Sequence, residues 1–175
     1  MESSMGSSMG SSQDDKAAAK EAKQKEKQDA IEKETQEAFA VKQKSKGQGS
    51  PLDQLKVWLD NTPFKSQNSQ LKMDTFLTIM QLIMSLNQQM VDGLCGKGGA
   101  LNEKQALTLG KYCFKAFDLI SDQDQAKKQP VIAIVQNGQP ILKVQLKIKE
   151  KLGNVCFLKY QFEKHEIVWP NLNQL

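Results

Sequence analysis

Apolar residues recur with helical spacing along the middle of the chain. Their intervals of three and four residues predict helices over about 51–60, 71–91 and 103–121. The second of these helices is apolar around more of its circumference than an ordinary surface helix. It is therefore expected either to lie at the centre of the core or to be covered by a partner.

Residues that favour helix starts precede two of these segments. Ser50 followed by Pro51 predicts an N-cap and a first helical position, because a serine oxygen accepts from the exposed N–H groups and proline lacks an N–H. Asn102 followed by Gln105 predicts a capping box. Both helices are therefore expected to begin at these residues.

The spacing of apolar residues changes to two in the last third of the chain. Residues 142–149 alternate strictly between apolar and Lys or Gln side chains, which is typical of a half-buried strand. Asn137–Gly138 is typical of a tight hairpin, and Gly153–Asn154 marks a second reversal. We predict strands over about 131–135, 141–149, 155–162 and 166–169, with Leu142, Val144, Leu146 and Ile148 facing the helices.

Two units follow from this pattern. Residues 1–49 comprise a Ser- and Gly-rich leader and a Lys-, Glu- and Gln-rich segment, so they are expected to form a disordered or helical arm. Residues 50–175 are expected to form a single α+β domain. In that domain three helices are followed by a C-terminal antiparallel β-meander of three to four strands.

The composition removes most catalytic and cofactor chemistry from consideration. All 24 basic residues are Lys and His165 is the one histidine, so the chain has no arginine clamp for phosphate and no histidine pair. Cys95, Cys113 and Cys156 lack the short spacing of a zinc knuckle and are expected to be reduced, buried thiols. We predict no enzymatic activity, no cofactor and no metal site.

Neither a cleavable signal peptide nor a membrane span is predicted. The N-terminus lacks the basic and apolar regions of a signal peptide, and the most apolar stretch, residues 76–86, is too short to cross a bilayer. The expected location is the cytoplasm, or the inside of a virion or bacterial assembly.

Two sets of side chains are candidates for binding a partner. Methionine side chains adapt to irregular surfaces, and four of them lie on the wide apolar helix. Lysines alternate along the predicted strands and form a basic face, which is most simply a solvated one. The candidates are Met73, Met80, Met84 and Met90 in the first set, and Lys143, Lys147, Lys149 and Lys159 in the second.

The predicted function is that of a non-enzymatic protein–protein interaction module, as an adaptor, a chaperone or a structural subunit of a larger assembly. A protein partner or self-association is expected. The alternative is a weak nucleic-acid-binding protein that uses the lysine face, although a formal net charge of +4 provides little attraction. A minor alternative is a secreted bacterial effector or secretion-system component, because the Ser-rich leader resembles those of type III secretion substrates.

Overall fold

The structure, a computed structural model, describes residues 11–95, 98–122, 136 and 138–163. Residues 1–10, most of the predicted leader, lie outside the described residues. Helices account for 82% of the described part of the chain. They are α1 (Ser11–Lys44), α2 (Pro51–Leu59), a short 3-10 turn (Pro63–Lys65), α3 (Ser69–Ser85), α4 (Gln88–Gly93), α5 (Glu103–Ser121), α6 (Gly138–Leu152) and α7 (Val155–Glu163).

The predicted α+β fold is wrong, because two of the segments expected to be strands are helices. Residues 141–149 lie within α6, and residues 155–162 lie within α7. The other two predicted strands, 131–135 and 166–169, lie outside the described residues. Where the structure describes the chain, it is helical and contains no β-meander.

The error has a physical cause, because the apolar residues of α6 fit both periods. Ile141, Val144 and Ile148 are three and four residues apart, and all three are fully buried. A strand needs a neighbouring strand to pair its backbone N–H and C=O groups, whereas a helix pairs them internally. Since the neighbours of this segment are the helices α3, α4, α5 and α7, the helical period prevails.

The predicted reversal at Gly153 joins two helices instead of two strands. Gly153 has a φ of +59°, a left-handed conformation that glycine adopts without a steric cost. Its N–H donates to the carbonyl of Lys149 at 2.8 Å and closes the end of α6. Helix α7 then packs back against α6, and both helices contact α5.

The wide apolar helix of the sequence lies at the centre of the core as α3. Phe76 and Ile79 on α3 are fully buried, and the helix contacts α2 and α6. Asn87 then caps the separate short helix α4, because its side-chain oxygen accepts from the N–H of Met90 at 2.9 Å. The single helix predicted over 71–91 is therefore interrupted between α3 and α4.

Helix α5 is the element on which the second half of the domain packs. The predicted capping box is present, with the Gln105 N–H donating to Asn102 Oδ1 at 2.8 Å and the Asn102 N–H donating to Gln105 Oε1 at 3.1 Å. Leu109 and Cys113 are fully buried. Because α5 contacts α2, α6 and α7, it fixes the position of the last two helices.

Helix α1 packs against the end of α2. The ring of Phe39 meets that of Trp58 edge to face, with centroids 5.6 Å apart and planes at 82°. The Lys42 ammonium group donates to the carbonyls of Asp60 and Asn61, where the helix dipole of α2 is negative. Burial lowers the pKa of Lys42 to about 8.

A second anchor holds α1 nearer its N-terminus. Glu32 accepts hydrogen bonds from Ser66 Oγ at 2.5 Å and from the Gln67 N–H. Partial burial raises the pKa of the Glu32 carboxyl, but hydrogen bonds from Ser66, Gln67 and Gln28 outweigh it and hold the pKa below its usual value. The carboxylate therefore ties α1 to the chain between the 3-10 turn and α3.

Candidate protein-interaction site

Helix α7 is attached to α5 by one face only. Cys156 and Tyr160 on that face are each 1% exposed. The Tyr160 hydroxyl donates to an Asp118 carboxylate oxygen, and burial together with this carboxylate raises the pKa of Tyr160. Near the end of α7, Glu163 forms an ion pair with Lys111. These contacts fix which side of the helix is turned away from the core.

A glycine makes the close approach of α7 to α5 possible. A Cβ atom added at Gly110 would overlap Cys156 Sγ and would lie 3.3 Å from Ile148 Cγ2 on α6. Only a residue without a side chain therefore leaves room for the Cys156 thiol at this crossing. Burial raises the pKa of this thiol to about 11, as expected for a packed cysteine.

Exposed apolar side chains are concentrated on α6 and α7. Eight large hydrophobic side chains are exposed among the described residues, and six of them belong to these two helices, although the pair makes up a small part of the chain. Phe162 is the most exposed of the eight, at 76%. We call this surface the terminal apolar face, and its members are Leu142, Leu146, Val155, Phe157, Leu158 and Phe162.

The members on α7 form a continuous stripe. Val155, Leu158 and Phe162 follow at intervals of three and four residues, so they lie on one side of the helix. The buried residues Cys156 and Tyr160 lie on the opposite side. Helix α7 is therefore apolar both toward the core and away from it.

On α6, the helical fold separates residues that a strand would have kept together. Val144 and Ile148 point into the core, whereas Leu142 and Leu146 are half exposed. The expectation that all four pack inward is therefore corrected for Leu142 and Leu146. A strand period places them beside Val144, but a helical period rotates them toward solvent.

An open cavity of about 210 Å³ lies between α5, α6 and the start of α7. Phe114 forms its aromatic wall, with its ring centroid 5.4 Å from Phe157 and 5.2 Å from Tyr160. Gln145 Oε1 is buried and accepts no hydrogen bond from the described residues. The lining residues are Phe114, Gln145, Lys149, Gly153, Asn154, Cys156 and Phe157.

The four predicted lysines lie on α6 and α7, around this face. Lys147 forms ion pairs with Glu150 at 3.1 Å and Asp92 at 3.6 Å, and the hydrogen bond to Glu150 raises its pKa. Lys143 donates to the side-chain oxygen of Gln88 on α4 at 3.1 Å. Lys149 and Lys159 are exposed, and no carboxylate in the described part of the chain lies within ion-pair distance of either.

The four predicted methionines lie elsewhere. Met73 and Met80 are buried in the core, at 2% and 0% exposure. Met84 and Met90 are half-buried near the end of α3 and on α4. The structure thus brings the lysine set together with exposed apolar residues, whereas two of the four methionines fill the centre of the molecule.

The sequence reasoning missed the terminal apolar face itself. Val155, Leu158 and Phe162 carry a helical spacing in the sequence that was assigned to a strand. This helical spacing indicates an exposed apolar side, and the assignment of the segment to a strand hid that indication.

A larger groove of about 490 Å³ lies between α1 and the body of the domain. Ile31 and Ala38 of α1 form one wall, and Phe64, Lys104 and Thr108 contribute to the other. Its lining mixes apolar and charged side chains without a cluster of catalytic type. Among the described residues, no three His, Cys, Asp or Glu side chains are placed to hold a metal ion.

The described helices also include none with the length and apolar character needed to cross a bilayer. A packed helical core beside an apolar face that the described residues leave exposed is typical of a building block that docks onto other proteins.

A comparison with protein-family models matches residues 10–164 to the ARP2/3 complex 16 kDa subunit (p16-Arc). Because the match covers most of the chain, the chain belongs to this family. No curated protein and no solved structure matches the chain.

Family membership decides among the predicted functions. The chain is a structural, non-enzymatic subunit of a larger protein complex, as one of the predicted roles stated. Protein partners follow from that role. The family gives no support to nucleic-acid binding, or to a place inside a virion or a bacterial assembly.

Proposed function

We propose that this chain occupies the position of the 16 kDa subunit in an ARP2/3 complex and serves there as a structural element, in the cytoplasm with the actin cytoskeleton. One observation carries the proposal. The family match over residues 10–164 includes every helix that the structure describes, from α1 to α7. The matched unit is therefore the described helical stack as a whole, including α1, and not one part of it.

The packing supports a structural subunit over a chaperone. A chaperone needs adaptable apolar surface for many clients, and flexible methionines are one way to supply it. Here Met73 and Met80 are enclosed in the core, and the exposed apolar residues are gathered on α6 and α7. A single face of this kind suits one permanent partner.

Binding to an ARP2/3 complex that lacks its own 16 kDa subunit tests the proposal. The purified chain is added to the depleted complex and, as the matched control, to the complete complex. We expect the chain to co-elute in size-exclusion chromatography with the depleted complex, in equal molar amount, and not with the complete one. Elution of the chain alone in both cases would contradict the proposal, and equal binding to both would assign it a different site.

A further inference from the structure

We infer that the terminal apolar face is the docking site for an amphipathic helix that carries carboxylates beside its apolar stripe and belongs to a neighbouring subunit. This inference rests on the proposed function, since it names the chemistry of a partner within the same assembly. The observations that carry it are the position of the face, its lysines and the cavity beside it.

The position of the face favours a partner. Among the described residues α7 is the last helix of the stack, and the last unit of a helical stack normally turns a polar side outward. In α7, Val155, Leu158 and Phe162 occupy that outward side, at exposures of 55%, 52% and 76%. Scattered apolar residues are normal on a surface, but a contiguous stripe marks an interaction site.

The positive charges around the face favour a partner with acidic residues. On α6, Lys149 lies three residues after Leu146. On α7, Lys159 lies four residues after Val155 and three before Phe162. Each lysine is therefore a surface neighbour of a member of the terminal apolar face. Neither lysine has a carboxylate partner among the described residues. A partner with carboxylates at both edges of its apolar stripe would pair with them.

The cavity adds a specific requirement. A cavity of about 150 Å³ accommodates benzene, so the cavity of about 210 Å³ beside Phe157 accommodates an aromatic side chain. Gln145 also lines the cavity, but its Oε1 atom is closed to solvent and is not offered to a partner. An aromatic ring in the cavity would pack on Phe114.

A second copy of this chain is a poorer occupant. Two-fold pairing would place the same surface on both sides of the interface. Such an interface would bring four lysines without described carboxylate partners onto one contact, and like charges at close range oppose association. An acidic helix has no such conflict.

Two synthetic helical peptides of about 14 residues, or four turns, serve as probes. Both carry leucines at intervals of three and four residues and one tryptophan, and they differ only in having Glu or Lys beside the apolar stripe. Binding is measured by fluorescence anisotropy with the full chain. We expect the Glu peptide to bind at least about tenfold more tightly than the Lys peptide, a difference that salt reduces.

Two double variants assign this binding to the face. Leu158→Ser with Phe162→Ser should weaken binding of the Glu peptide by about tenfold or more, as loss of central anchors does. Lys149→Glu with Lys159→Glu should reverse the preference between the peptides. Val41→Ser with Val57→Ser, which changes exposed residues outside α6 and α7, is the matched control and should leave binding unchanged. Circular dichroism checks that each variant remains folded.

Several results would overturn the inference. They are equal affinity for the two peptides, no binding of either, or the same loss from the control pair. Loss of a dimer, seen by sedimentation when Leu158 and Phe162 are replaced, would assign the face to a second copy. A gain of about tenfold in peptide affinity after removal of residues 164–175 would assign it to the chain's own C-terminal residues.

The depleted complex separates this inference from the function on which it rests. If the unaltered chain does not bind the depleted complex, the proposed function fails whatever the peptides do. If the unaltered chain binds and the Leu158→Ser, Phe162→Ser variant binds at least about tenfold more weakly, the face is an assembly contact. If both bind equally, the proposed function stands and the docking inference is wrong.

Discussion

Helix α1 is 34 residues long and most of its described side chains are exposed and polar, whereas α7 is nine residues long and apolar on two sides. Phe39, Lys42 and Glu32 attach α1 to the body at a few points. Helix α7 is attached along its length, from Cys156 to Glu163. Both helices expose much of their surface, but the exposed groups differ in kind.

The difference shows that exposure alone does not identify a binding surface. A helix rich in Ala, Lys, Glu and Gln forms readily, and water solvates its polar side chains, so the exposure of α1 needs no partner. A helix of nine residues is too short to be stable alone in water. Helix α7 therefore depends on α5 for its inner side, and its outer apolar side is exposed where the structure describes the chain.

The contact of α7 with α5 should be the most sensitive to substitution. Gly110→Ala should lower the free energy of unfolding by about 2–3 kcal/mol, because the new Cβ overlaps Cys156 Sγ in a packed core. Chemical denaturation monitored by circular dichroism measures the loss. No corresponding glycine lies under α1 among the described residues, so this sensitivity is specific to the α7 side.

A second substitution tests the cause of that loss. Cys156→Ala removes the sulfur and leaves the added Cβ 3.7 Å from the Cβ of residue 156 and 3.3 Å from Ile148 Cγ2, a close contact that a small shift relieves. The double variant should therefore be more stable than Gly110→Ala alone and within about 1 kcal/mol of the unaltered chain, helped by the better helix propensity of alanine. Equal losses in the single and double variants would show that the overlap is not the cause.

On the α1 side, one aromatic contact should account for most of the attachment. Phe39→Ala should cost about 2 kcal/mol, because it removes a partly buried ring from the edge of Trp58. Removal of residues 1–26, which precede Gln28 and its hydrogen bond to the Lys65 carbonyl at 3.3 Å, should change the free energy of unfolding by less than about 0.5 kcal/mol. Comparable losses from the two changes would mean that α1 is held along its length, as α7 is.

The buried ammonium group of Lys42 should make the attachment of α1 depend on pH. Its pKa of about 8 lies below the ordinary value of 10.5, so the unfolded chain binds more protons between these values. Stability from this group is therefore lowest below pH 8 and rises toward pH 10. Denaturation of the unaltered chain and of Lys42→Met at pH 7 and pH 10 measures the effect: the unaltered chain should gain relative to the variant, and a constant difference would contradict it.

The smallest expected changes in the free energy of unfolding distinguish the inner side of α7 from its outer side. Tyr160→Phe removes the hydrogen bond to Asp118 and should cost about 1 kcal/mol. Phe162→Ser, two residues further along, should change the free energy of unfolding by less than about 0.5 kcal/mol, because the side chain is 76% exposed. A large loss from Phe162→Ser would show that the outer side of α7 is already covered within this chain.

The predicted candidate residues remain a prediction as a binding site, but particular residues show why the structure places them where it does. Val144 and Ile148 are buried in the helix and would be buried in a strand, so the period does not matter for them. Leu142 and Leu146 are buried only in a strand, so the choice of period decides where they lie. The predicted lysines lie at or near the surface under either period, because a charged side chain is almost never fully buried.

The location of the predicted methionines depended on the rest of the fold. The apolar pattern of the segment that contains them predicts a wide apolar helix but does not say whether a partner or the rest of the chain surrounds it. Met73 and Met80 became core residues because α2 and α6 pack against α3. The position of α6 could not be inferred while that segment was assigned to a sheet.

Local chemistry in the sequence by itself determined where α2 and α5 begin, because Ser50, Asn102 and Gln105 satisfy helix-end N–H groups within a few residues of chain. It also determined the polar character of α1 and the reversal at Gly153. The conformation of residues 141–149 and 155–162 was decided only by the tertiary structure, because an alternating pattern fits two periods and the neighbours determine which backbone pairing is available. Both segments pack on α5 as helices, and Gly110 leaves room there for Cys156. In this packing Leu142, Leu146, Leu158 and Phe162 lie outside the core.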